Sequence, residues 1–401
     1  MSKLKNLTRI ESMLQPDVAS NNACSTPQDC DKAAREHEWR TPPSRSELVL
    51  LALVMAILFV SLVSAFRNYL LLVDNFGDSS AYMNLASAIR QWNFQGLVVK
   101  HFWGLPYLMA AVSMLTRISD RSSLLVISLV SSLLAVLLAH RLWGGWIAGF
   151  FAVLNFDWLQ RSFLGGSEPL FVTLLFGAFL AVRKDRWPLA ALLAALATVV
   201  RPLGVFALLG IGLTLLWRRE FMKFAIAVGT GLAVGLMYAL PLAHLFGDPL
   251  ATVHSYVRPE WGGGWLFGIP FWAIIKGTLI YPAPWTNLVL TFGWILLVVI
   301  ATAVMIRARD FRDYARSNPV EMLFALPYIW CLFSYNYAFW ARGSFPRFSI
   351  PVVPFVLVAL CRWLPKDRRV LWATGTLSAL MAAASAVGVR NVADAVRKTI
   401  G

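Results

Sequence analysis

From Leu48 to Leu72 the chain carries one charged side chain, Arg67, and long apolar runs separated by short basic clusters then recur almost to the C-terminal end. A soluble surface cannot cover such runs, whereas roughly 20 apolar residues are what one helix needs to cross a bilayer. Composition agrees, with 58% hydrophobic and 14% charged residues and a mean hydropathy of +0.63. The expectation is an all-α, polytopic transmembrane helical bundle of about 10–12 segments, some of them short or re-entrant. Roughly, the segments are 48–72, 104–118, 122–139, 143–158, 167–182, 188–200, 203–217, 221–242, 286–306, 320–340, 347–363 and 370–389.

The formal charge of +15 is not a nucleic-acid stripe. Its Lys and Arg residues gather between apolar runs, at 183–186, 218–219, 307–316 and 362–369, which is the positive-inside signature and argues for membrane lipids, not nucleic acid, as surroundings. Residues 1–46 are polar and proline-containing and read as a disordered cytosolic tail, leaving 47–401 as the transmembrane domain. No short apolar region with a cleavage site precedes Leu48, so the first run is expected to stay as an anchor. Cys24, Cys30, Cys331 and Cys361 show neither a disulfide framework nor metal spacing, and no metal or cofactor is expected.

With the basic clusters on the cytosolic side, one segment between 104 and 139 cannot be a full crossing. The stretch 73–103, the turn 160–167, Arg201, the loop 243–285 and the turn 341–347 then share the opposite face. Asp74, Asp78 and Tyr82 recur at four-residue spacing there, followed by Leu85, Ala86, Ile89 and Trp92, which predicts a juxtamembrane amphipathic helix with carboxylates at its start. Asp78 is either an N-cap or a general base. Glu168, in Ser167-Glu168-Pro169, is either a first-turn acid favoured by the helix dipole or a charge kept for catalysis. Arg201, beside Pro202 between two apolar half-helices, and Arg347 are either snorkelling side chains or partners for a phosphate or carboxylate. His101 and Arg258 are further binding candidates, and the Trp-rich loop 243–285 is long enough to be functional. No Walker loop, dinucleotide fingerprint, zinc-protease helix or nucleophile elbow occurs, and no internal repeat marks a transporter.

The order of GDSSAYMNLASAI (77–89), HFWGLPYLMAAVSML (101–115), FLGGSEPLFVTLLFGAFLAV (163–182), LAALATVVRPLGVFALL (193–209) and FPRFSIPVVPFVLVAL (345–360) resembles the GT-C superfamily of integral membrane glycosyltransferases. It is closest to the GPI mannosyltransferase and protein O-mannosyltransferase-like families, and covers about 48–363. Where that family commonly has two acidic residues in its first loop, this chain has Gly77-Asp78-Ser79, a single carboxylate. The resemblance implies an inverting transferase that moves mannose or another hexose from a polyprenyl-phosphate donor to a lipid, glycan or protein acceptor. It implies Asp78 and Glu168 as catalytic residues, with Arg201, Arg347, Tyr82, His101, Asp74 and Arg258 binding substrate, and a site on the non-cytosolic face. The compact length points to a bacterial inner membrane, or to the endoplasmic reticulum in a eukaryote. A secondary transporter or lipid flippase, and a non-catalytic assembly factor, are the competing readings.

Overall fold

Ser44 begins the first span. Its hydroxyl accepts from Glu47 N at 3.3 Å while Glu47 Oε2 accepts from Ser44 N at 2.6 Å, a reciprocal cap that starts α1 (Arg45–Phe66). The computed structural model describes residues 40–94, 100–256, 265–281 and 285–400, with the backbone alone at 285–287 and 389–400. The expected tail lies almost wholly outside the described residues.

Asn68 caps α2 (Tyr69–Asn75), accepting from Leu71 N at 3.1 Å. Gly77, at φ +50°, then turns the chain into α3 (Ser79–Gln91), the expected juxtamembrane helix. Asp74 therefore belongs to a helix of its own, because the Gly77 turn interrupts the four-residue spacing that suggested a single helix. Next come α4 (Gly104–Thr116) and α5 (Asp120–Trp143). At 13 residues, α4 is too short to cross a bilayer, whereas α5, at 24, is long enough.

Asn155 splits the run 143–158 into α6 (Gly145–Leu154) and α7 (Phe156–Leu164). Its side chain accepts from Asp157 N and Trp158 N, capping α7, and donates to Pro346 O at 2.8 Å. Gly165 and Gly166 then form an elbow into α8 (Glu168–Arg183), bent by 107° from α7. Helix α9 (Trp187–Val200) ends at Arg201, whose backbone is extended. A 3-10 turn, Pro202–Gly204, leads into α10 (Val205–Trp217), so the hinge expected at Arg201-Pro202 is present.

Helix α11 (Phe221–Phe246) runs past the expected end of its segment. The stretch 243–285 is less irregular than expected, because α12 (Ala251–His254) and α13 (Trp272–Ile280) lie within it. The chain continues through α14 (Trp285–Arg307), α15 (Arg309–Ser317), α16 (Pro319–Ser334), α17 (Ala338–Gly343), α18 (Phe345–Ser349), α19 (Val353–Ala359) and α20 (Arg368–Ile400).

Among the described residues five helices are long and apolar enough to cross a membrane, which makes six candidate spans if the bent pair α7–α8 counts as one. The protein is thus a multi-pass membrane protein built as a helical bundle; among the described residues the only β pairing is an isolated bridge between Phe267 and Tyr335. Helix α8 packs against α5 and α9 at the centre. Its Phe176 and Phe179 interlock with Trp143, Phe324 and Phe355 in edge-to-face and tilted contacts, with Trp143 and Phe176 at 4.9 Å between ring centroids. This aromatic core packs the C-terminal half of α8 through Phe176 and Phe179.

Candidate functional site

The first residue of α8 collects the charges. Glu168, only 1% exposed, accepts through Oε1 from Arg201 Nη1 at 2.5 Å and from Arg347 Nε. Arg347 passes the link on, donating from Nη2 to Asp78 Oδ2 at 2.8 Å. A carboxylate this deep is tolerable because it is paired with guanidinium charge. Three distant stretches are thereby tied into one cluster: the start of α3, the α8 elbow with the Arg201 hinge, and α18.

Neither serine nor aspartate acts as a simple cap. Asp78 occupies the N-cap position of α3, and Ser167 that of α8, yet neither side chain makes a capping hydrogen bond. The Ser167 hydroxyl instead accepts from Tyr82 at 3.1 Å and from Arg201 Nη1 at 3.2 Å. Ser79 Oγ reaches Leu164 O at 3.4 Å, so α3 is moored on the elbow by two contacts one turn apart. The capping explanation of Asp78 gives way to an ion pair.

A cavity of about 200 Å³ opens beside the cluster. Asp78, Tyr82, Lys100, His101, Ser167, Arg201 and Arg347 supply its polar lining. The rest is mostly aromatic or apolar, including Phe102, Tyr256, Leu266, Phe267, Tyr328, Tyr335, Trp340 and Phe348. Leu266 and Phe267 are held there by backbone bonds to the end of α16: Gly268 N donates to Ser334 O at 2.7 Å and Asn336 N to Leu266 O at 3.0 Å. Part of the long Trp-rich stretch thus forms cavity wall.

The arginines are not fully used. Arg201 makes its hydrogen bonds through Nη1 alone, and Arg347 through Nε and Nη2. Nε and Nη2 of Arg201 and Nη1 of Arg347 have no hydrogen-bond partner among the described residues, although both side chains line the cavity. Counting the neighbouring groups, the cations Lys100, Arg161, Arg201 and Arg347 outnumber the carboxylates Asp78, Asp157 and Glu168. The site is a cationic cavity with free N–H donors.

Burial works to raise the Asp78 pKa, but the charges of Arg347, then Arg161 and His101, hold this carboxyl well below the usual carboxylate range. Burial pushes the His101 imidazole below the ordinary histidine value; Asp78 partly offsets that, while Lys100 and Arg347 add to it. The Tyr256 phenol is pushed up to about 12, by burial first and then by the Asp78 charge, so it remains a donor.

Six of the eight candidate residues come together: Asp78, Tyr82, His101, Glu168, Arg201 and Arg347. Glu168 does not line the cavity but lies behind the two arginines, so it positions them and does not touch a bound molecule. Asp74 is a correction to the expected binding set: both its oxygens are taken by Arg121, with Nε at 2.6 Å, and it is not part of the lining. Arg258 lies outside the described residues.

Arg161 was not anticipated. It is buried, stacks at 4.5 Å on the Phe76 ring, and has no hydrogen-bond partner for Nε. The signal was present, since Asp157, Gln160 and Arg161 interrupt an apolar stretch, and ionisable groups in such places mark functional sites. Its fit requires glycines: a Cβ at Gly77 would lie 2.7 Å from Arg161 Nη1, and one at Gly166 would lie 2.8 Å from Arg161 Cδ and 2.7 Å from Glu168 Oε2. Among the described residues no group of three His, Cys, Asp or Glu is arranged to hold a metal ion. Comparisons with family models, curated proteins and solved structures return no match.

Proposed function

We propose that the protein is an inverting glycosyltransferase that moves a hexose, with mannose the first candidate, from a polyprenyl-phosphate donor to a lipid, glycan or protein acceptor at the non-cytosolic face of a bacterial inner membrane. The observation that carries this reading is the pair Arg201 and Arg347, whose unspent N–H donors line a net-cationic cavity with an aromatic wall. A phosphate monoester leaving group gains negative charge as its bond to the sugar breaks, and preorganised guanidiniums stabilise that charge. Glu168 holds both guanidiniums in place from behind. The aromatic wall suits the apolar faces of a sugar ring and the first isoprene units.

In the transfer, the acceptor hydroxyl passes its proton to a basic side chain of the cavity lining, where Asp78 and His101 are the candidates. Its oxygen bonds to the anomeric carbon from the face opposite the phosphate, and the anomeric C–O bond breaks with its electron pair leaving on the phosphate. Configuration at that carbon inverts. The test uses the full-length protein in lipid nanodiscs with radiolabelled polyprenyl-phosphate mannose or glucose and a membrane lipid and glycan extract as acceptor. Wild-type protein is expected to label an acceptor, and Arg201→Gln to lose most of that transfer; failure of wild type with every donor overturns the reading.

A further inference from the structure

We propose that His101 is the group that takes the acceptor's proton and that Asp78 serves as its charged partner, a role that rests on the transfer reading above. Four observations place it there. His101 lines the same cavity as Arg201 and Arg347, so its ring can meet an acceptor that a donor phosphate on those arginines would face. Its ring is held edge-on against Tyr82, with centroids 5.2 Å apart and planes at 63°, and Tyr82 is anchored in turn through its hydroxyl to Ser167. Neither ring nitrogen of His101 has a hydrogen-bond partner among the described residues, whereas Asp78 is tied to Arg347 through Oδ2 and keeps only Oδ1 open. The charged groups facing the ring are Asp78 from the start of α3, Lys100 from its own turn and Arg347 from α18, and among these Asp78 alone is negative.

The division of labour follows from basicity. A base works best when its pKa lies near the working pH. Arg347 keeps the Asp78 carboxyl far below that, so the carboxylate is a poor proton acceptor while the ion pair persists. Burial keeps His101 in its neutral, accepting form. When the acceptor O–H proton moves to an imidazole nitrogen, the oxygen pair forms the new bond to the anomeric carbon and the phosphate departs with the old one. The imidazolium then faces the Asp78 charge, which stabilises it.

Two measurements separate this role from the transfer reading. In full-length protein labelled with 15N-histidine, with the His101 signal assigned by its loss in His101→Gln, the ring is expected to titrate below the ordinary value of about 6.5. Asp78→Asn should lower that titration further, since the stabilising charge is removed; an unchanged titration overturns the pairing whether or not a donor has been found.

In transfer assays with polyprenyl-phosphate mannose, His101→Gln should lower kcat by roughly 10²- to 10⁴-fold with KM little changed. Wild-type activity should fall as pH drops through the depressed His101 value, and that acid limb should vanish in the variant. Imidazole added to His101→Gly should restore part of the rate. A His101→Gln protein that elutes as wild type and keeps both rate and acid limb, while Asp78→Asn loses both, overturns the proposal in favour of Asp78. No transfer by wild type overturns the transfer reading and this role with it.

Discussion

Helix α8 carries a buried ion cluster at each end, and the two are built to opposite rules. At its C-terminal end Arg183 meets Glu321 through two bonds, Nε to Oε1 at 2.7 Å and Nη2 to Oε2 at 3.0 Å, while Nη1 donates to Leu142 O at 2.5 Å. Tyr314 donates to Glu321 Oε2 and accepts from Trp143 Nε1 at 2.7 Å. Every one of these groups has a partner, and none of them lines the cavity. At its N-terminal end Glu168 Oε2 and Arg161 Nε, both buried, have no hydrogen-bond partner among the described residues, and two arginines keep free donors on a cavity. A saturated network can only hold helices together. An unsaturated one retains the capacity to bind something else.

That contrast can be broken at either end. The largest expected effect is on stability at the saturated end: Arg183→Met leaves Glu321 buried without its counter-ion and should cost about 3–5 kcal/mol, read as a lower thermal midpoint in nanodiscs. The double variant Arg183→Met, Glu321→Leu should recover most of it, and a single variant as stable as wild type would remove the structural role. At the other end Arg201→Gln should leave the fold nearly intact, because Arg347 still faces Glu168, while transfer drops on the order of 10²- to 10³-fold. Equal losses of stability at both ends would erase the distinction.

Smaller effects refine it. Gly77→Ala places a methyl group 2.7 Å from Arg161 Nη1 on a backbone at φ +50°, and should cost about 1–3 kcal/mol, with transfer weakened as Arg161 shifts. Unchanged melting would mean that Arg161 does not pack under this turn. Tyr82→Phe removes one hydrogen bond to Ser167 and should lower stability by about 1 kcal/mol while loosening the mooring of α3. Hydrogen exchange over 79–91 is the measurement, and unaltered protection there would show that Ser79 suffices to hold α3.

Much of the bundle was readable because its signals are local. Hydropathy marks α1 and α5 directly, and Pro202 announces the break after α9. Asp78, Glu168, Arg201 and Arg347 stood out because a charge beside an apolar run needs a reason. What escaped reading depends on non-local partners. Asp74 shares a spacing with Asp78, but Arg121 from α5 claims it and the Gly77 turn separates the two. Arg161 sits in a stretch that reads as a turn, and only the 107° elbow folds it back beneath Gly77. The extension of α11 to Phe246 and the helix α13 escaped for another reason: they lie beside recurrent Gly and Pro, at Gly247, Pro249, Gly268 and Pro270, which make the whole stretch read as loop.

The length of α8 also works as a depth gauge. Sixteen helical residues span only about 24 Å, less than the roughly 30 Å of hydrocarbon in a typical bilayer. Both ends of this helix cannot then reach the headgroups at once unless the bilayer thins around it. The sealed Arg183 end is therefore the one that can sink into the hydrocarbon without exposing bare charge to the acyl chains, which leaves the open cavity end at the headgroups, at the depth of a lipid-borne phosphate.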